Sequence, residues 1–256
     1  MDLVSTSFLG RSVRVDRAFD AKLAKVQTAL QAQYDALPEP KATFKEWHGV
    51  YSVGGYREGG SMHGKGRAID VNYYRNGYVA CRTRTARGTV YGGEDGGDFT
   101  GVRRAFADAC DRACMAFDGQ PADTSARKAG ETSESVWDRW HHVSESLCAY
   151  FAPWYPAIDD LDAGEADHLP DVDPASIPPQ IATDYQSLRV PLVVGSPMKV
   201  PRLTRNPAKG IMDIPRHTFV ALSDVCGFRA GTADFSATSS GDLMHWDDAK
   251  RIASGA

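Results

Sequence analysis

The chain has no long apolar run, no cysteine pair at metal-binding spacing and no surplus of one charge, and each absence closes a class of function. No window approaches the ~18 uninterrupted apolar residues of a membrane span. Met1-Asp2-Leu3-Val4-Ser5 lacks the basic start and apolar stretch of a secretory signal, so the sequence reads as a cytoplasmic product. Cys81, Cys110, Cys114, Cys148 and Cys226 include no CxxC spacing, which leaves neither a zinc ribbon nor thioredoxin-type chemistry and makes reduced thiols the expectation. Cys110 and Cys114 fall four apart in a segment of helical periodicity, where they read as small buried hydrophobes. With 29 basic against 33 acidic residues the net charge is −4, which offers no electrostatic basis for nucleic acid or an anionic membrane as partner.

What is present is the balance of a globular protein: 256 residues, 42% hydrophobic and 10% aromatic, enough to fill a core without disulfide staples. Apolar residues Phe19, Leu23, Val26, Leu30, Tyr34 and Leu37 form one stripe and predict a helix over 16–37, stopped by Pro38. Strands are predicted over 49–56 and 67–73, separated by a glycine-rich turn at Glu58-Gly59-Gly60. Polar residues interrupt this buried-looking run in the manner of a site rather than a plain core. A loop over 84–100 precedes a second helix, 102–117, and a third begins at Thr132 or Ser133, carries Val136, Trp140, Val143, Leu147 and Tyr150, and ends before Pro153. Six prolines and a crowd of acids then mark 153–179 as an extended acidic connector. Short strands over 190–194 and 198–203, a helix over 215–226 and a Gly/Ser/Thr-rich tail complete the chain. Because the chemistry draws on both sides of the connector, a single domain over 1–256 is expected, with a helical and acidic Pro-rich insertion at about 84–180.

Two segments stand out, Ser61-Met62-His63-Gly64-Lys65-Gly66-Arg67-Ala68-Ile69-Asp70 and Gly241-Asp242-Leu243-Met244-His245-Trp246. Imidazole and carboxylate are the common non-thiol ligands of zinc, and three protein ligands plus a water make a catalytic site. His63, Asp70 and His245 supply such a set, with Gly64 and Gly66 permitting a tight path between the first two. Asp242, three residues before His245, is the candidate base that takes a proton from an attacking water. Arg57 is the candidate donor for a substrate carboxylate or a developing oxyanion, with an ion pair to Glu58 as its non-catalytic alternative. Ser61 suits either a loop cap or a substrate contact.

The pattern SxHxxGxAxD, filled by Ser61, His63, Gly66, Ala68 and Asp70, resembles the zinc D-alanyl-D-alanine carboxypeptidase and endolysin peptidase family of the LAS fold, in its phage-type branch. Asp242-Leu243-Met244-His245-Trp246-Asp247 is similar to that family's closing DxMHFE-type signature, with Trp246 for the usual Phe and Asp242 for the Glu of many relatives. Gly227-Phe228-Arg229-Ala230-Gly231 resembles a Gly-Phe-x-Trp-Gly stretch that precedes it. The resemblance implies an α+β, Hedgehog/DD-peptidase-like fold, in which a small antiparallel sheet carries one zinc ion and helices pack on its outer face. It implies zinc on His63, Asp70 and His245, catalysis by Asp242, and substrate binding by Arg57 with Tyr56, Ser61 and Trp246. The implied substrate is the peptide stem of bacterial peptidoglycan, cut as a D,D-carboxypeptidase or as an endopeptidase. A monomer is expected that reaches the wall after lysis or on a phage or injection-type particle. A zinc hydrolase of another peptide, or a metal-stabilised binding or particle-assembly module without turnover, would keep the same ligands.

The remaining histidines read as bystanders. His48 beside Trp47 suits packing; His141 and His142 point about 100° apart on a helix and cannot share a metal; His168 lies in the acidic run, and His217 near a helix start. Trp137 and Trp140 read as core and flank residues, with a grip on substrate as the alternative.

Overall fold

The computed structural model describes residues 1–39, 42–73, 76, 84–85, 88–89, 127, 130–151, 212–235 and 242–249. The predicted helix 102–117, the acidic connector, the strands 190–194 and 198–203, four of the five cysteines by side chain, and His168 lie outside the described residues or side chains. The architecture is mixed α/β, with small antiparallel sheets and helices.

A hairpin opens the chain: β1 (Leu3–Phe8) and β2 (Arg11–Asp16) pair antiparallel through a two-residue turn, Leu9-Gly10. Both turn residues have positive φ, 49° and 75°, the left-handed pair that matches strand twist. Leu9 tolerates this conformation because its side chain is buried and its N–H donates to Gln27 Oε1 at 2.8 Å. This hairpin is absent from the sequence reading, since Leu-Gly carries none of the Asn-Gly or Asp-Gly signal.

Asp16 ends β2 and caps α1 (Arg17–Asp35), accepting from the Ala18 N–H at 3.0 Å. The predicted stripe faces inward, with Phe19, Leu23, Val26 and Leu30 all buried. A short α2 (Phe44–His48) follows, held by a capping box between Thr43 and Glu46 and closed by left-handed Gly49. The expected strand over 49–56 shrinks accordingly to β3 (Val53–Gly54). Its neighbour β4 (Ala68–Val71) is buried throughout.

Within the expected loop over 84–100, Arg84–Thr85 (β5) and Gly88–Thr89 (β6) pair as a minimal hairpin. The third predicted helix is present as α3 (Ser133–Phe151), with Val136 and Trp140 buried. Helix α4 (Arg216–Asp224) starts after Pro215 as expected. Strands β7 (Arg229–Ala230) and β8 (His245–Asp247) form from the glycine-rich tail.

The central sheet runs β3-β4-β8-β7, antiparallel throughout. Its register sets Ile69 opposite Trp246, and Trp246 opposite Ala230. Because side chains alternate along a strand, these residues share one face, and that face meets the helices. Phe219 of α4 meets the Trp246 ring edge-on at 4.8 Å, and Phe19 of α1 stacks on Phe228 at 4.9 Å. Trp137 of α3 donates its indole N–H to the Ile214 carbonyl at 2.8 Å. None of the described helices is long and apolar enough to cross a membrane.

Candidate metal centre

The opposite face of the same sheet is polar. Asp70 stands directly across from His245, and Ala68 across from Asp247, which in turn faces Arg229. His63 joins them from the preceding loop. That loop turns tightly: Gly66 has a φ of 66°, and a Cβ on Gly64 would meet the Gly59 carbonyl oxygen at 1.7 Å. Its Gly66 carbonyl accepts from the Asp16 N–H at 2.8 Å, anchoring it to the start of α1.

Three donor atoms converge from these elements. His63 Nε2 lies 3.0 Å from Asp70 Oδ1 and 3.1 Å from His245 Nδ1, and His245 Nδ1 lies 3.3 Å from Asp70 Oδ1. A tetrahedral ion with bonds of ~2.0–2.1 Å sets its donors about 3.3 Å apart, so the triangle has the size such an ion requires. His63 and Asp70 are buried, and the His245 side chain is 11% exposed. This His63–Asp70–His245 group can hold a metal ion.

The outer atoms of the triangle are each occupied. The Gly55 carbonyl meets His63 Nδ1 at 2.8 Å, so the donating Nδ1–H leaves the Nε2 lone pair facing the centre. Arg57 Nη2 donates to Asp70 Oδ2, which reserves Oδ1 for the two imidazoles. Asp247 Oδ2 lies 3.0 Å from His245 Nε2.

Electrostatics follow this arrangement. Burial opposes ionisation of Asp70, but the adjacent His245 and His63 rings outweigh it and hold the carboxyl well below the usual carboxylate range. Burial likewise disfavours the charged form of His245, yet the bonds to Asp247 and Asp70 prevail and raise it to about 9. Asp247 is lowered to about 2, where burial is overcome by His245 and Arg229. Asp242 goes the other way: burial pushes its carboxyl up to about 6, the His245 charge opposing the rise and the Asp70 charge adding to it. Its Oδ1 is enclosed and has no hydrogen-bond partner among the described residues. Asp242 is brought there by a backbone bond to Gly231 at 3.1 Å, at a point where Gly231 leaves no room for a side chain: a Cβ would lie 2.7 Å from the Asp242 carbonyl oxygen and 3.0 Å from His245 Cβ.

Of the residues named from sequence, His63, Asp70, His245, Asp242 and Arg57 are brought together. Arg57 pairs with Asp70 rather than with Glu58, and its side chain remains 61% exposed. Tyr56, which precedes Arg57 in the chain, is half-buried, with Arg14 lying over its ring at 5.2 Å. Ser61 is exposed and its Oγ accepts from the Gly64 N–H at 3.4 Å, a loop cap. Trp246 requires correction as a substrate contact: it is fully buried on the core face, where it has no surface to offer.

The polar residue Asn72 also proves structural. At the end of β4, with a φ of 51°, it accepts from the Tyr51 and Ser52 N–H groups and donates to the Gly49 and Asp213 carbonyls, stitching three segments together. His48 is buried against Phe44, and His217 stacks on Trp47 at 3.8 Å, so both pack as bystanders. His141 stacks on Trp137 at 4.5 Å, away from any ligand role.

Sequence reasoning missed Arg229 and Asp247 as parts of the centre. The readable signal was His245-x-Asp247, since residues two apart on a strand share a face. Compared with models of known protein families, with curated proteins and with solved structures, the chain matches none.

Proposed function

We propose that this protein is a zinc-dependent peptidase that hydrolyses an amide bond in the peptide stem of bacterial peptidoglycan, on a Hedgehog/DD-peptidase-like α+β scaffold. The observation that carries the reading is the pairing of a metal-sized donor triangle with an adjacent buried carboxylate, Asp242, whose Oδ1 is unengaged. Two imidazole nitrogens and one carboxylate oxygen suit zinc and leave a fourth position for chemistry. A site built only to hold metal has no use for a neighbouring carboxylate with one buried oxygen left open, because a buried polar atom without a partner is costly.

When bound there, the ion supplies Lewis acidity, drawing the pKa of a water toward ~7 and polarising the scissile carbonyl. Asp242 then takes the water proton as attack proceeds and returns it to the leaving amine. Burial raises the Asp242 carboxyl in the metal-free chain, and a carboxylate beside the attacking water can serve as base and then as acid. Arg57 keeps one donor on Asp70, and its exposed remainder can bind a substrate carboxylate or the negative charge that develops on the carbonyl oxygen. Tyr56 and Ser61 are the further substrate contacts of this reading.

The reading is tested by incubating the zinc-loaded full chain with intact peptidoglycan and identifying the released fragments by mass spectrometry. Release of D-alanine alone indicates a carboxypeptidase, and release of stem fragments an endopeptidase. In Asp242→Asn, zinc is retained while hydrolysis falls by about 10²–10⁴-fold. Unchanged hydrolysis by Asp242→Asn, or no product from the wild type, overturns the reading.

A further inference from the structure

Two histidines of the centre are oriented in different ways. His63 is held by a backbone carbonyl, which no side-chain substitution can remove. His245 is held by Asp247, a fully buried carboxylate whose four polar contacts are all accounted for. Oδ1 accepts from Arg229 Nε at 3.0 Å and from the Ala249 N–H at 2.9 Å. Oδ2 accepts from Arg229 Nη2 at 2.7 Å and meets His245 Nε2 at 3.0 Å. An ionised carboxylate only accepts, and a bidentate guanidinium makes that state secure. The hydrogen between Asp247 and His245 therefore belongs to Nε2. Nε2 thus keeps its hydrogen, and Nδ1, the atom facing His63 and Asp70, is the nitrogen that gives up its proton and offers a lone pair when an ion binds.

Arg229 fixes the ring from a second side as well. Its guanidinium lies over the Phe235 ring at 4.4 Å, and Phe235 in turn sets its ring against His245 at 5.3 Å, tilted by 63°. One arginine thus joins the hydrogen-bonding partner and the packing partner of the same ligand. Cross-strand register makes this arrangement, since Arg229 on β7 stands opposite Asp247 on β8.

We propose that the Arg229–Asp247 pair is the positioning unit of the metal centre, locking His245 in the tautomer that offers Nδ1 to the ion and setting how tightly the ion is held. This rests on the metal-binding reading of His63, Asp70 and His245, and not on the identity of the substrate.

The test uses the full chain labelled with ¹⁵N-histidine. In the zinc-loaded wild type, long-range ¹H–¹⁵N correlation spectra show His245 coordinated through Nδ1 and protonated at Nε2. Coordination through Nε2 overturns the proposal without any variant. Zinc affinity, measured by competition with a chromophoric chelator, falls about 10–100-fold in Asp247→Asn and in Arg229→Gln, while circular dichroism and the melting of the metal-free chain show that both remain folded. Should Asp247→Asn fail to fold, Arg229→Gln, at a residue that is not fully buried, decides alone. Affinity within about twofold of wild type in a folded variant defeats the proposal but leaves the metal centre standing. A wild type that binds no zinc defeats both.

Discussion

The two faces of the β3-β4-β8-β7 sheet are made by alternate residues of the same short strands, and they treat polarity in opposite ways. One face presents Ile69, Trp246 and Ala230 to the hydrophobic core, where Phe219 of α4 meets the Trp246 ring edge-on. The other gathers Asp70, His245, Asp247 and Arg229, nearly as well buried, and compensates each charge with a partner at hydrogen-bond distance. A one-residue slip of β8 would exchange the faces. The contrast teaches that burial by itself does not decide ionisation. His48, buried among apolar groups, is driven down to about 4, whereas His245, buried among carboxylates, is driven up to about 9.

The largest expected effect comes from breaking the polar face. His245→Ala removes one of the three converging donors, and zinc affinity falls by more than about 100-fold, beyond the loss caused by removing an orienting partner. Isothermal titration against the wild type measures it, and the metal-free chain still melts cooperatively. Breaking the core face has the opposite signature. Trp246→Ala costs about 3–5 kcal/mol and lowers the melting temperature by on the order of 10 °C, while the folded fraction retains its zinc affinity. Equal affinity losses in the two variants would show that the faces are not separable.

The pH dependence of stability sharpens the comparison. Neutral His48 accepts the Val50 N–H at Nδ1, 3.0 Å away, and burial keeps a proton off that nitrogen until about pH 4, against about 6.5 in the unfolded chain. Its contribution, at most about 3 kcal/mol, is complete above pH 6.5 and is lost as the pH falls toward 4. Chemical denaturation at a series of pH values shows a shallower decline for His48→Gln than for wild type over that window. A smaller effect is expected where the faces meet. Gly231→Ala forces a Cβ against Asp242 and His245, costing about 1–3 kcal/mol of stability and up to about tenfold in zinc affinity, both readable from the same titrations.

Legibility in the sequence differed between elements for physical reasons. Helix α1 was readable because four buried residues repeat at helical spacing and Asp16 and Pro38 bracket them. The candidate ligands were readable because His63 and Asp70 sit among glycines that a tight loop requires. The opening hairpin was not, because a buried leucine occupies a left-handed turn position that its own chemistry does not favour. The predicted strand 49–56 is shortened because Gly49 closes α2, the Tyr51 and Ser52 N–H groups bond to Asn72, and only Val53–Gly54 joins the ladder. The resemblance sets Trp246 at the substrate, whereas it follows His245 on one strand and so faces the opposite side of the sheet, in the core.

The sequence by itself determined the chemical inventory: two imidazoles, a carboxylate, a second carboxylate three residues from the last histidine, and glycines where backbones must approach. Those follow from residue type and local spacing, which the chain carries without folding. Only the tertiary structure decided which atoms converge. Asp70 and His245 are 175 positions apart and meet through cross-strand register, and the same register hands Asp247 to Arg229. Register is set by packing Ile69, Trp246 and Phe219 on the far face, so the polar centre owes its geometry to a hydrophobic contact that none of its own residues makes.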